Sequence, residues 1–123
     1  MKHTPGFLAI VDAARAKVVE ISTGEYQALQ AAGTPHVLID VREDREFSAG
    51  HAAGAEHLGK GIIERDIETK HPDTSSLLVL YCGGGYRSAL AAEAIQRMGY
   101  TNVRSLAGGW RAWQEAGLPT ESM

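Results

Sequence analysis

The chain contains one cysteine, Cys82, and the residues that follow it are those best suited to chemistry. The segment LYCGGGYRS places this thiol at the end of an apolar run, before the glycines Gly83, Gly84 and Gly85 and the arginine Arg87. Because glycine has no β-carbon, successive backbone N–H groups can turn inward and surround an anion. The arginine and the start of a following helix add positive potential that favours a thiolate. The segment therefore predicts a nucleophilic Cys82 whose adduct is held by backbone amides.

Other interpretations of this segment explain fewer of its residues. A lone cysteine is often a small buried hydrophobe, but core packing does not explain three consecutive glycines, which weaken both the strand and the helix that they join. A glycine-rich loop can also bind a nucleotide phosphate. This loop, however, has neither the G-x-G-x-x-G spacing nor the Lys-Ser/Thr pair of a P-loop.

The histidines suggest two further kinds of site, a cysteine–histidine hydrolase and a metal centre. His36, His51 and His57 precede Cys82, but His51 stands among small residues in SAGHAAGA, where a hydrogen-bonded structural imidazole is the favoured interpretation. The histidines at positions 3, 36, 51, 57 and 71, together with one cysteine, show no ligand-pair spacing. We therefore expect no metal.

The spacing between cysteine and arginine separates two anion chemistries. Cysteine phosphatases have five residues between these two positions, which makes a loop wide enough for the oxygens of a cysteinyl phosphate. Here four residues separate Cys82 from Arg87. The shorter loop favours a smaller adduct, such as the single extra sulfur of a persulfide.

Strands and helices alternate along the whole chain, which predicts an open parallel α/β sheet with helices on both faces. In the amino-terminal part, Thr4-Pro5 opens a helix that runs to about Lys17, and Ser22 to Glu25 is a capping box for a second helix. Ligands of such sheets bind beyond the carboxyl ends of the strands, so the loops after Asp40, Tyr81 and Leu106 should form the site. The predicted strands are Val18–Ser22, His36–Asp40, Ala55–Leu58, Leu77–Tyr81 and Val103–Leu106.

Size and charge narrow the range of partners. With 123 residues, we expect one domain over 1–123, made of an amino-terminal helical extension (1–17) and a core (18–119). A net charge of -3 with scattered Lys and Arg leaves no basic surface for nucleic acid or anionic lipid. No apolar run is long enough to cross a membrane. One cysteine permits no internal disulfide, which favours the cytoplasm.

Three separate segments resemble the rhodanese family of sulfurtransferase domains. They are LIDVREDREFSAGHAAGA, LYCGGGYRSALAAEAIQRMGYTNV and LAGGWRAWQEAGLP, and the resemblance extends from Val18 to Pro119. It implies a parallel sheet of five strands in the order 1-5-4-2-3, with helices on both faces. It also implies a reaction in which Cys82 takes sulfane sulfur from a donor such as thiosulfate and passes it to cyanide or a thiol, without a metal or organic cofactor.

The resemblance also assigns roles to residues around Cys82. The backbone N–H groups from Gly83 through Ser88 should stabilise the persulfide, and Tyr86 and Arg87 should shape the entrance. Asp40 and Arg42 match the family's loop-supporting pair, and with Glu46 they could form an ion-pair brace. Trp110 could line the pocket mouth or pack in the core.

The sequence leaves the donor and acceptor open. No second charged residue lies inside the loop to neutralise thiosulfate, so a polysulfide or a protein-bound persulfide is an equal candidate. A sulfur-relay or regulatory module that serves one protein partner is the alternative to free turnover. A phosphatase or an arsenate reductase on the same fold is disfavoured by the length of the loop. The oligomeric state and the role of the amino-terminal helix also stay open.

Overall fold

The main sheet has the predicted architecture. The computed structural model describes residues 2–123, and five strands form a parallel sheet in the spatial order β1-β6-β5-β2-β4. Counted along the chain within this sheet, the order is 1-5-4-2-3, as expected. The strands are β1 (Val19–Ile21), β2 (Val37–Asp40), β3 (His51–Ala52), β4 (Glu56–His57), β5 (Leu78–Tyr81), β6 (Val103–Leu106) and β7 (Thr120–Glu121). The helices are α1 (Pro5–Arg15), α2 (Thr23–Ala31), α3 (Asp44–Ala49), α4 (Ile63–Lys70), α5 (Tyr86–Gln96) and α6 (Gly109–Glu115).

Side chains along β5 alternate between two apolar layers, as the pleat of a strand requires. Leu80 and Cys82 belong to the layer that α4 and α5 cover. Tyr81 points to the opposite layer, where Tyr26 of α2 and Trp113 of α6 are buried. Both faces of the sheet are thus covered by helices, which explains why β5 is apolar at consecutive positions.

Local signals explain where the first two helices begin. The capping box of α2 is present: the Glu25 N–H donates to Ser22 Oγ at 3.1 Å, and the Ser22 N–H donates to Glu25 Oε1 at 2.9 Å. Thr4 precedes α1 in an extended conformation, but its side chain makes no capping hydrogen bond. Helix α1 ends at Arg15, slightly before the predicted Lys17, and lies against α5. Across residues 2–123, each helix is too short or too polar to span a bilayer.

A second, two-stranded sheet was not predicted. The strands β3 and β7 pair antiparallel, with His51 opposite Glu121 and Ala52 opposite Thr120. The His51 imidazole also contacts the Glu121 carboxylate, with Nε2 and Oε1 3.3 Å apart. This small sheet attaches the end of the chain to the segment that follows α3.

Candidate active site

Cys82 follows β5 directly, and its sulfur lies at the start of α5. The residue is 1% exposed. The Gly85 N–H donates to Sγ at 3.1 Å, and Sγ lies 3.6 Å from Ser88 Oγ. Helix α5 begins at the residue after Gly85, and the first amides of a helix have no acceptor within it. The thiol therefore occupies the positive end of the helix dipole.

The three glycines after Cys82 have different steric requirements. Gly85 has a φ of 96°, and a β-carbon there would lie 3.2 Å from the Gly108 nitrogen. A β-carbon on Gly83 would lie 3.0 Å from Arg87 Nη2, whereas one on Gly84 would meet no atom within 4 Å. Left-handed backbone is therefore needed only at Gly85. Among residues 2–123, the amides of Gly83 and Gly84 have no hydrogen-bond acceptor.

Arg87 is held by Glu46 of α3. Its Nη1 and Nη2 donate to the two carboxylate oxygens at 2.9 and 3.2 Å. Hydrogen bonding to Arg87 is the main cause that lowers the pKa of Glu46 to about 2, and a bond from the Glu43 N–H contributes. The pKa of Arg87 is raised chiefly by Glu46, and the Cys82 sulfur adds a smaller contribution. The Glu46 carboxylate thus accepts hydrogen bonds from Arg87 and from the Glu43 N–H, and not from Arg42 as a member of the expected Asp40–Arg42–Glu46 cluster.

Asp40 and Arg42 form a buried pair at the end of β2. Arg42 Nη2 donates to Asp40 Oδ2 at 2.8 Å, and Nε lies 3.1 Å from each carboxylate oxygen. The Tyr81 hydroxyl donates to Asp40 Oδ2 at 2.6 Å. Burial and this hydrogen bond raise the pKa of Tyr81. Burial alone would lower the pKa of Arg42, but the hydrogen bond and the charge of Asp40 outweigh it and raise that pKa.

This pair does not line the space in front of Cys82. Arg42 Nη2 donates to the Gly50 carbonyl at 2.7 Å, and the guanidinium lies 4.9 Å from the centre of the Trp110 ring. Trp110 packs against Arg42 in the apolar layer that contains Tyr81, and it does not line the pocket in front of Cys82. The contacts of Asp40 and Arg42 are therefore those of a brace for the loop after β2.

Cys82 opens onto a cleft of about 990 Å³, here called the Cys82 cleft. As predicted, the loops after β2, β5 and β6 all contribute to its lining, together with α3 and α6. A further wall comes from the residues before and within α1, which the sequence did not assign to the site. Three cations outside the Cys82 loop also line the cleft, namely Lys2, Arg45 and Arg111, and so do the carboxylates of Glu43, Glu46 and Glu115.

Gly108 and Gly109 are site residues that sequence reasoning did not single out. The Trp110 N–H donates to the Cys82 carbonyl at 2.7 Å, and the Arg111 N–H donates to the Gly83 carbonyl at 3.1 Å. Gly109 has a φ of 50°, and a β-carbon there would collide with the Cys82 carbonyl oxygen. The start of α6 thus fixes the backbone of the Cys82 loop. The signal was the double glycine before Trp110.

Ser105 is a second such residue. Its Oγ lies 2.8 Å from Ser88 Oγ, and both serines are fully buried. A buried hydroxyl needs a partner, so the two serines satisfy each other behind the Cys82 sulfur. The signal in the sequence was a single serine inside the otherwise buried strand β6.

The histidines upstream of Cys82 have other partners. His51 Nδ1 lies 2.7 Å from the Phe47 carbonyl, His57 Nε2 lies 2.9 Å from the Arg42 carbonyl, and His36 Nε2 lies 2.7 Å from the Tyr26 hydroxyl. Within residues 2–123, no three His, Cys, Asp or Glu side chains come together in a way that could hold a metal ion. The geometry around Cys82 therefore supplies a thiol, backbone amides and hydroxyls.

Comparison with known proteins identifies the family. The sequence model of the rhodanese-like domain family matches residues 22–116. The chain belongs to the rhodanese-like domain family. A thiosulfate sulfurtransferase GlpE of Actinobacillus succinogenes is 37% identical over 89 residues, which cover 70% of this chain and 76% of the relative. Another GlpE, of Pseudomonas entomophila, is 35% identical over 94 residues, covering 76% and 83%. These relatives bear out the prediction of a rhodanese-like sulfurtransferase.

Solved structures extend the similarity of this rhodanese-like chain to α1. A Rhodopseudomonas palustris protein of unknown function, described as a possible tyrosine phosphatase, matches with a TM-score of 0.83 and 33% identity over 98% of both chains. The homodimeric polysulfide-sulfur transferase of Wolinella succinogenes matches with a TM-score of 0.79 and 28% identity, over 96% of this chain and 88% of that one. Because these matches cover 98% and 96% of this chain, both include α1.

Proposed function

We propose that this rhodanese-like chain transfers sulfane sulfur through a persulfide on Cys82. The observation that carries the proposal is the position of Sγ, which accepts a hydrogen bond from the Gly85 N–H at 3.1 Å and lies at the start of α5 beside the Cys82 cleft. The free amides of Gly83 and Gly84 offer further donors for a terminal sulfur anion. Ser88 Oγ accepts from the Cys82 thiol at 3.6 Å, and once that thiol is ionised the hydroxyl can donate to Sγ from the buried side.

The proposed reaction has two steps, and both balance without a cofactor. In the first, the Cys82 thiolate attacks the outer sulfur of thiosulfate, a new S–S bond forms, and the S–S bond of the donor breaks with its electron pair leaving on sulfite. In the second, the terminal sulfur of the Cys82 persulfide passes to cyanide or to a thiolate, and the Cys82 thiolate is regenerated. The backbone amides stabilise the negative charge on the persulfide between the two steps.

Thiosulfate, a polysulfide and a protein-bound persulfide are the proposed donors. Arg87 is the only charged residue inside the loop, but Lys2, Arg45 and Arg111 line the same cleft from other segments. Glu43, Glu46 and Glu115 line it too, and Arg111 pairs with Glu115, so Lys2 and Arg45 are the cations that assist the approach of an anionic donor. The proposal treats residues 1–123 as one catalytic domain, and it places the protein in the cytoplasm because the thiol must stay reduced.

Replacement of Cys82 tests the proposal. The purified chain is incubated with thiosulfate and cyanide, and thiocyanate is measured. In parallel, a stoichiometric donor is added without acceptor, and mass spectrometry looks for one extra sulfur on Cys82. We expect both signals, and we expect Cys82→Ser to lose both while keeping its circular dichroism spectrum. Thiocyanate formation that survives Cys82→Ser contradicts the proposal, whereas a trapped persulfide with negligible turnover favours a sulfur relay to a protein partner.

A phosphatase activity needs a separate test, because the Rhodopseudomonas palustris neighbour is described as a possible tyrosine phosphatase. In this chain four residues separate Cys82 from Arg87, and both terminal nitrogens of Arg87 bond to Glu46. An arginine engaged in this way is not free to embrace a phosphoryl group. We therefore expect no Cys82-dependent hydrolysis of para-nitrophenyl phosphate, and such hydrolysis would favour the phosphatase.

A further inference from the structure

The residues before and within α1 form one side of the Cys82 cleft. Lys2, His3, Thr4 and Phe7 line it together with Cys82, and they are called here the amino-terminal wall. The family model begins at residue 22, so this wall lies outside the segment that the model matches, although two solved structures align over α1 as well. The cleft therefore combines the Cys82 loop of the common domain with a wall that the family model does not include.

The wall is attached to the Cys82 loop through Tyr86. The His3 ring meets the Tyr86 ring edge-on at 4.4 Å between centroids, and the Phe7 ring does so at 6.2 Å. His3 and Phe7 also contact each other, at 5.1 Å. The Arg15 guanidinium lies over the Tyr86 ring at 4.6 Å from its centre, which adds a cation–π contact from the far end of α1. Three aromatic rings thus form one continuous surface beside the thiol.

The cleft is much larger than an inorganic donor requires. Thiosulfate has five non-hydrogen atoms, whereas a cleft of about 990 Å³ has the volume of about thirty water molecules. The three rings are only partly buried, so each keeps surface for a ligand. Partly exposed aromatic rings that line a cleft of this size are typical of sites for organic ligands with an apolar or planar part.

We infer that the amino-terminal wall determines donor specificity, and that His3 and Phe7 bind the carrier group of an organic sulfane-sulfur donor while its outer sulfur reaches Cys82. This inference rests on the proposed sulfur transfer. The donor class is an anion R–SO2–S⁻ or R–S–S⁻ in which R is aromatic or otherwise apolar. In the first case the Cys82 thiolate takes the outer sulfur, the donor's S–S bond breaks, and the electron pair leaves on the sulfinate.

Two thiosulfonates that differ only in R provide the test. Benzenethiosulfonate and methanethiosulfonate deliver the same sulfur and leave as sulfinates, with cyanide as acceptor for both. One added aromatic contact corresponds to a roughly two- to tenfold effect. We expect wild-type kcat/KM to favour the benzene donor by about this factor, mainly through KM, and we expect His3→Ala and Phe7→Ala to reduce that ratio. His3→Phe, which keeps a ring at this position, should retain the preference.

Ile10→Ala is the matched control, because Ile10 lies on α1, is 55% exposed and does not line the cleft. This variant should keep the wild-type ratio. The inference is overturned if His3→Ala and Phe7→Ala both keep the wild-type ratio of kcat/KM for the two donors. If no donor is turned over and no persulfide is trapped on Cys82, the sulfur-transfer proposal fails by itself. Calorimetric binding of benzenesulfinate and methanesulfinate then decides about the wall: equal affinities overturn the inference, and a benzene preference lost in His3→Ala supports it.

Discussion

Replacing Glu46 by glutamine should weaken the fold at neutral pH, and the loss should fade in acid. Glu46 is ionised in the native state because Arg87 donates two hydrogen bonds to it, and these bonds lower its pKa from 4.5 to about 2. A carboxylate with a lowered native pKa stabilises the protein fully above its unfolded pKa. That contribution is lost progressively as pH falls from about 4.5 to about 2.

The size of the effect follows from the two pKa values and from the exposure of the pair. At about 1.36 kcal/mol for each pH unit, the difference between 4.5 and about 2 has a ceiling of about 3 kcal/mol. About a third of each side chain is exposed, 34% for Arg87 and 32% for Glu46, so solvent screens the interaction. We therefore expect Glu46→Gln to cost about 1–2 kcal/mol at pH 7, and less than half of that at about pH 3.

Urea unfolding of wild type and Glu46→Gln at pH 7, 5 and 3 measures this difference. Glu64→Gln is the matched control, because Glu64 is exposed and has no ion pair among residues 2–123. The control should change stability by a few tenths of a kcal/mol at most. A Glu46→Gln penalty of equal size at pH 7 and pH 3 would refute the reasoning, since it would mean that packing and not the Arg87 charge pair holds Glu46.

Three further substitutions test the elements around the loop. Gly109→Ala should lower the free energy of unfolding by about 2 kcal/mol or more, as urea unfolding measures. It should also abolish thiocyanate formation, because Gly109 has a positive φ and the added β-carbon would collide with the Cys82 carbonyl. Ser105→Ala should cost about 1 kcal/mol, because the buried Ser88 hydroxyl loses its partner. It should also slow iodoacetamide alkylation of Cys82, because Ser105 no longer orients that hydroxyl to donate to the thiolate; an unchanged alkylation rate would make the contact purely structural. Asp40→Asn should cost about 3 kcal/mol or more in urea unfolding, because it leaves the buried charge of Arg42 without a counter-ion; the exposed Asp73→Asn is the control.

The sequence predicted the main sheet because its strands carry strong local signals. The run LLVLY is apolar at consecutive positions, and the structure buries all of β5 from Leu78 to Tyr81. The pair β3 and β7 could not be found in this way. Each strand has two residues, too few for any periodicity, and the partners His51 and Glu121 lie at distant points of the chain.

The Cys82 loop could be predicted because its thiol, glycines and arginine lie within six residues of the sequence. The partners of these residues come from other segments, and no local pattern indicates them. The sequence grouped Glu46 with Asp40 and Arg42, and its partner Arg87 became evident only because folding brings α3 beside the Cys82 loop. The amphipathic α1 was predicted, but periodicity shows only that a helix has a buried face and not what that face covers. The contact of His3 with Tyr86 therefore required the structure.

The brace at Asp40 and the thiol at Cys82 face opposite layers of the sheet, yet they connect through α3. Arg42 bonds to Asp40 and to the carbonyl of Gly50, the residue that ends α3. The same helix carries Glu46, whose carboxylate holds Arg87 at the edge of the Cys82 cleft. Because α3 is one short helix, fixing its carboxyl end also limits where Glu46 can lie. We therefore propose that the buried ion pair acts on the cleft without touching a substrate, by limiting the position of Arg87 through α3.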